Sequence, residues 1–217
     1  LHEYEAFINI LKSHNIELYF LDGSNNNTID SIYAHDPFII SNDGAIICNM
    51  GKNNRVSEIE NIKIFLKNND IPIFGEISAP GKLEGGDIVW IDKHNIAVGI
   101  GYRSNIEGAK QLGEILSGIV KNVIPVPLPH WNGPSDCLHL MSNLSPIDSN
   151  LFLVYSRLLP VQFIQYLEEN KIELIEVPFE EYETMACNVL AIAPREVIML
   201  EGNPITKKLL EKENVIV

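Results

Sequence analysis

Apolar and polar positions along the chain fall into short blocks whose period changes repeatedly. Residues 3–14 carry apolar side chains at helical spacing, which predicts a short amphipathic helix, and the run at 16–21 predicts a strand. A polar loop, 22–28 (DGSNNNT), follows. Two short apolar runs, 38–41 and 45–48, flank Asn42-Asp43-Gly44, a hairpin-turn signal. Residues 57–69 return to helical spacing, with Ile59, Ile62, Phe65 and Leu66 on one face, and 71–74 reads as another strand.

The same order then recurs. Strands at 87–91 and 96–100 flank Lys93-His94-Asn95; a helix spans 105–119 with Ala109, Leu112, Leu116 and Ile119 inward; a strand covers 123–126. Strands at 138–144 and 151–155, a helix at 161–170 and a strand at 172–177 form a third set. Strands at 189–193 and 197–200 surround Pro194-Arg195-Glu196, and a strand begins at 215. The helix between them, 203–213, has Pro204 near its start, where proline is tolerated.

The unit is thus strand–turn–strand–helix–strand. First strands start near Asp36, Asp87, His139 and Asn188, at spacings of 51, 52 and 49 residues. A period near 50 predicts repeated units around an axis or along a solenoid. An ordinary α/β protein with regular element lengths is the alternative. The units lie at about 36–76, 87–126, 138–177 and 188–217, with 1–21 a partial one, in a single domain of 217 residues. If the units close into a ring, a fifth is half present, and its hairpin is expected beyond Val217. The first residue, Leu1, points the same way, to a translated protein longer than these residues.

Composition narrows the class. The chain is 46% hydrophobic and 21% charged, as expected of a globular protein with a large core. Its longest apolar runs fall well short of the roughly 20 residues a membrane span needs, and no secretory leader pattern opens it. Three widely spaced cysteines, Cys48, Cys137 and Cys187, argue against a disulfide framework or zinc site and suit a reducing, cytoplasmic compartment. A formal net charge of −13 disfavours nucleic acid and anionic membrane as partners. It would attract a cationic ligand, although excess acid is also a common route to solubility.

In a ring, the start of each first strand faces the axis. The polar residues there are Asp36, Glu84 with Asp87, His139 and Asn188. Leu83-Glu84-Gly85-Gly86-Asp87 places two glycines between two carboxylates ahead of an apolar run, a sign of close approach by backbone or ligand. Carboxylates and a histidine converging on an axis would form a cation site or a general acid–base site. Taken singly, Asp36 before Pro37 reads as a turn residue, and His139 between Leu138 and Leu140 as a buried structural histidine.

Four stretches then carry a resemblance: residues 30–36 (DSIYAHD), 83–87 (LEGGD), 101–105 (GYRSN) and 138–140 (LHL). In order and spacing they resemble the motifs of the guanidino-group-modifying enzymes, which include dimethylarginine dimethylaminohydrolases, arginine deiminases and amidinotransferases. The resemblance runs over essentially the whole chain. It implies an α/β fold, a five-bladed propeller of ββαβ units around a pseudo-fivefold axis. It also implies a chemistry without cofactor or metal, in which a cysteine thiolate adds to a guanidinium carbon, an amine leaves and water releases the covalent amidino-enzyme. Glu84 and Asp36 match the carboxylates that grip the guanidinium, a planar cation suited to bidentate pairing. His139 matches the general acid–base. Arg103 and Arg55 match residues that bind the substrate carboxylate, Asp30 one that meets its ammonium, and Asp87 a support of the loop. Met141 stands where deiminases and amidinotransferases carry aspartate, which favours the dimethylarginine dimethylaminohydrolase-like branch and leaves arginine open as substrate.

The implied nucleophile belongs to a glycine-rich segment ending in cysteine near the C-terminus, expected here beyond Val217, with Cys187 as the substitute within the chain. Cys48 and Cys137 are expected to be small core or loop residues. The function so implied is cysteine-dependent hydrolysis of the guanidino C–N bond of arginine or methylated arginine, giving citrulline and an amine or ammonia. An amidinotransferase is the catalytic alternative, and a non-catalytic guanidino-binding protein the alternative of another class. The partner is a small cationic guanidino substrate, and a homodimer is compatible with the sequence.

Overall fold

The middle strands of the first three units are apolar along nearly their whole length, and the architecture explains why. The computed structural model describes residues 2–21, 23 and 28–217. After α1 (His2–Ser13), β1 (Phe38–Ser41), β2 (Gly44–Ile47), α2 (Glu58–Asn68) and β3 (Ile73–Glu76) form one unit. The second is β4 (Ile88–Trp90), β5 (Asn95–Ile100), α3 (Ile106–Ile115) and β6 (Asn122–Pro127). The third is β7 (Leu144–Asp148), β8 (Leu151–Val154), α4 (Val161–Glu169) and β9 (Glu173–Glu176). A short α5 (Phe179–Tyr182) leads to β10 (Leu190–Ala193), β11 (Glu196–Ile198) and α6 (Pro204–Lys212).

In each of the first three units the hairpin is antiparallel, and the third strand returns after the helix to pair parallel with the second. In the fourth, β10 and β11 are antiparallel, and a parallel bridge joins Glu196 to Ile216 after α6.

The sheets stack side by side, and each central strand feeds two cores by its period of two. Ile96 and Val98 of β5 point into a cluster with Ile39 and Ile46 of the first unit and Leu112 of α3. Ala97, between them, joins Phe152 and Val154 of β8 in the next cluster. Leu151 and Leu153 of β8 point the other way, to Val197 and Leu210 of the fourth unit. A sheet buried on both faces needs a continuous apolar run rather than an alternating one.

Several expectations are corrected. Residues 16–21 form no strand. Each third strand elsewhere pairs with the second strand of its own hairpin, and among the described residues no sheet takes in 16–21; Leu21 instead packs on the cluster of Ala45, Ile47, Ile62 and Leu66. Residues 138–144 are not one strand: Leu140–Ser142 is a 3₁₀ turn and β7 starts at Leu144. Likewise Gly85–Asp87 is a 3₁₀ turn ahead of β4. α5 carried no helical periodicity to read, being four residues long. Of the polar loop at 22–28, residues 22 and 24–27 lie outside the described residues. Among the described residues, no helix is long and apolar enough to cross a membrane.

Candidate active site

The residues that carry chemistry stand just before the first strands, where the chain turns. Asp36 follows a 3₁₀ turn (Ile29–Ile32) and closely precedes β1. Glu84 caps the Gly85–Asp87 turn, and His139 caps the Leu140–Ser142 turn. A side chain on a regular strand must point to one face of its sheet; one on a tight turn is free to point along the axis.

These turns are bound to one another. Gly85 N donates to the Asp36 carbonyl at 2.9 Å. Asp87 accepts from Leu140 N at 3.0 Å and from the Ser104 hydroxyl at 2.6 Å. The same hydroxyl accepts from Glu84 N at 3.0 Å. Asp87 therefore ties the second unit's turn to the one bearing His139. The glycines serve this packing. A Cβ on Gly85 would stand 2.0 Å from the His35 carbonyl oxygen, and one on Gly86 would stand 2.6 Å from His139 Nδ1.

One carboxylate oxygen of Asp36, one of Glu84 and one ring nitrogen of His139 lie within 4.8 Å of one another, all in buried residues. Glu84 is wholly buried. Its Oε2 accepts from Arg103 Nη1 at 2.7 Å and pairs with His139 Nε2 at 2.9 Å, while Oε1 accepts from Lys52 N at 2.9 Å. Asp36 accepts from Arg55 Nη1 and, through Oδ1, from Gly86 N at 3.2 Å.

The charges reinforce each other. Burial opposes ionisation of Glu84, but the His139 hydrogen bond and the Arg103 charge outweigh it and hold the carboxyl below its usual range. Burial likewise opposes charge on His139. Hydrogen bonds donated by the ring to Cys137 and Glu84, with the nearby Asp87 and Asp36, overcome it and raise the imidazole well above its ordinary value. Asp87, nearly enclosed, is pushed up to about 6 by burial.

The remaining expected residues divide. Asp30 sits partly buried at the rim, paired with Lys52 Nζ. Arg103 joins the cluster through Glu84; its other guanidinium nitrogens make no hydrogen bond among the described residues. Arg55 departs from expectation. It is 1% exposed, and its guanidinium spans Asp36, Glu58 and the Tyr33 carbonyl. All three of its nitrogens are engaged, and its burial against Asp36 and Glu58 leaves at most one Nη1 N–H for a substrate carboxylate. Asn188 is exposed and stands outside the Asp36–Glu84–His139 triad.

Cys187 is corrected as substitute nucleophile. It is 1% exposed in the core shared with Leu153 and Val197, and burial raises its thiol far above the ordinary value. Cys48 is equally enclosed and raised. Cys137 is exposed, and its Sγ lies 3.7 Å from His139 Nδ1. It lies in a loop, as expected, but its approach to His139 was not legible in the sequence, and neither were the contacts of Lys52, Glu58 and Ser104. Only Ser104, beside Arg103, and Cys137, two residues before His139, had a signal in their position.

Two carboxylates and a histidine this close are also a metal-ligand set. Here each carboxylate already takes an arginine, and the surrounding carboxylates bias the imidazole toward its cationic form. Ligands must be deprotonated to bind a metal, so the arrangement fits an organic cation better.

The family model described as N,N dimethylarginine dimethylhydrolase, eukaryotic, matches residues 1–217. The N(G),N(G)-dimethylarginine dimethylaminohydrolase of Pseudomonas aeruginosa is 28% identical over 214 residues, covering 98% of this chain and 77% of that protein. A solved structure of the Pseudomonas aeruginosa enzyme, a cysteine-to-serine mutant complexed with citrulline, superposes with a TM-score of 0.81 at 26% identity, over 100% of this chain and 79% of that one. An amidinotransferase of Microseira wollei shares the fold, with a TM-score of 0.82 at 16% identity over 100% of this chain and 75% of that one. These are α/β propeller-like proteins of the amidinotransferase and dimethylarginine dimethylaminohydrolase superfamily, and by the match over its whole length this chain belongs to the N,N dimethylarginine dimethylhydrolase family.

Proposed function

We propose that this protein hydrolyses a guanidino C–N bond of arginine or a methylated arginine, yielding citrulline and an amine or ammonia. The observation that carries this is the convergence of Asp36, Glu84 and His139 within 4.8 Å in a buried site. The guanidinium takes its place between the two carboxylates, where paired N–H groups meet paired oxygens. A thiolate adds to the guanidinium carbon. The C–N bond to the leaving group breaks, and the His139 imidazolium gives that nitrogen its proton. Neutral His139 then takes a proton from water, whose oxygen attacks the amidino carbon and expels the thiolate.

Arg103, with donors to spare, is assigned to the substrate carboxylate, and Asp30 to its ammonium, which exchanges with Lys52. Arg55 is assigned to hold Asp36 in place. The nucleophile is assigned to a thiol from beyond Val217, a reading the burial of Cys48 and Cys187 supports. The 3.7 Å contact with His139 favours Cys137 as the second reading. The net charge of −13 and the cysteines, none disulfide-bonded, support a small cationic partner and a reducing, cytoplasmic setting.

The test is incubation of the protein with arginine, monomethylarginine and dimethylarginine, scoring citrulline and amine. Absence of both products from all three would sink the proposal, and a new guanidino compound made with an added acceptor amine would replace it with amidino transfer. Cys137→Ser separates the two thiols: retained turnover excludes Cys137, and loss of turnover with unchanged arginine binding selects it.

A further inference from the structure

Cys137, whose Sγ lies 3.7 Å from His139 Nδ1 on the ring edge turned away from Glu84, lines a cavity of about 250 Å³. The cavity's other walls are of two kinds. Trp131 and Tyr182 meet edge to face at 85° with ring centroids 6.2 Å apart, forming an aromatic corner. Asp136 and Glu183 supply carboxylates, Met185 an apolar side chain, and no lysine or arginine is among the described lining residues.

The corner is held in place from behind. The far face of Tyr182 stacks on Tyr155 at 3.9 Å, and its hydroxyl donates to Asn143 Oδ1 at 2.8 Å. An aromatic corner lined with carboxylates and lacking basic groups has one natural class of ligand. That is a small organic cation, whose charge meets the ring faces and carboxylates and whose methyl groups lie on apolar surface.

We infer that this cavity is a subsite for the alkylammonium ion released by the reaction. The inference rests on the proposed role of His139 as proton donor to the leaving nitrogen. That proton replaces the broken C–N bond, so the amine leaves neutral and His139 is left neutral; the amine, a far stronger base than imidazole, takes a second proton from solvent and becomes a cation that the histidine does not repel. The hydrolytic water later gives up both its protons, one to His139 and one to solvent, which closes the balance. The Asp136–Glu183 corner of the cavity lined by Cys137 draws the cation out of the site. Ammonium ion, lacking methyl groups, gains only the electrostatic part of this binding.

The test is titration of the protein carrying ¹³C-methyl methionine with dimethylammonium chloride, against sodium chloride at matched ionic strength. The Met185 methyl resonance is expected to shift saturably with dimethylammonium alone. Trp131→Ala and Asp136→Asn should each weaken binding about tenfold, and Glu84→Gln, which removes no group of the cavity and makes His139 less cationic, should not weaken it. Asp136→Asn keeps size and polarity, so it reports even if Trp131→Ala fails to fold. No saturable shift at Met185, or binding lost in Glu84→Gln and retained in both cavity variants, overturns the inference. If the protein makes citrulline while dimethylammonium fails to bind here, the subsite is wrong and the proposed function stands. If dimethylammonium binds and no guanidino substrate turns over, the cavity stands as a cation site, and its assignment to a released product falls with the proposed function.

Discussion

Glu84 answers to three cationic or donating groups at once, and its neighbours' protonation depends on it. Its carboxylate is the hydrogen-bond partner that helps keep His139 charged against burial. The sign of the resulting pH dependence follows. A proton donor works only while protonated, so the alkaline limb of kcat/KM should fall above 6.5, the ordinary value for histidine. In Glu84→Gln the negative charge is gone and burial is less opposed, so that limb should move to lower pH. kcat/KM should also drop by about 10²-fold or more. A pH–rate profile whose alkaline limb stays put in this variant would refute the coupling. The two arginines make a contrasting pair. Arg55→Ala leaves Asp36 and Glu58 buried without their cation, and should cost about 3–5 kcal/mol of stability in urea unfolding. Arg103→Ala leaves Glu84 with His139 and Lys52 N, and should chiefly raise KM for arginine. Equal loss of stability in both would show that Arg103 is structural too.

At the scale of elements, the turn at Gly85–Asp87 shows what sequence could and could not convey. Hydrophobic periodicity marked the strands and helices of the four units, because burial on both faces of each central strand forces long apolar runs. It also marked where those runs begin, which is where Asp36, Glu84 and His139 stand. Periodicity carries no information about a three-residue 3₁₀ turn, so His139 read as part of a strand. It is equally silent about partners distant in sequence. The link from Asp87 to Leu140 N spans 53 residues, and nothing local distinguishes Arg55 held by Asp36, 19 residues away, from an arginine facing a substrate. The diglycine was legible as a close approach by backbone or ligand, but not which group approaches. Backbone meets Gly85, at the His35 carbonyl, and the His139 ring meets Gly86. Gly86→Ala must therefore push the imidazole or the Asp36 carboxylate aside. A displacement near 1 Å should lower kcat about 10²-fold. Far-ultraviolet circular dichroism should be unaltered, and a variant with native kcat would show that the ring has room to move.

Across the whole molecule, the shared strands and the charge act at different ranges. Because β5 and β8 each contribute to two clusters, the units are not independent beads. Loosening one core withdraws support from both neighbours of the strand that fed it. The site at the convergence of the turns inherits that rigidity, so ionic strength should alter its internal geometry little. Its charges are buried and paired, and buried pairs are screened far less than exposed ones. The exterior is different. With 29 acidic residues against 16 lysines and arginines, the chain attracts a cation over distances longer than any contact. At about 0.01 M salt that attraction reaches about 30 Å, and at about 0.15 M only about 8 Å. Salt should therefore act on capture and not on chemistry. Raising ionic strength across that range is expected to lower kcat/KM for arginine several-fold while kcat stays constant. Binding of citrulline, whose side chain is neutral, should change much less. A fall in kcat equal to that in kcat/KM would place the salt effect inside the Asp36–Glu84–His139 cluster and refute the division between outer field and inner site.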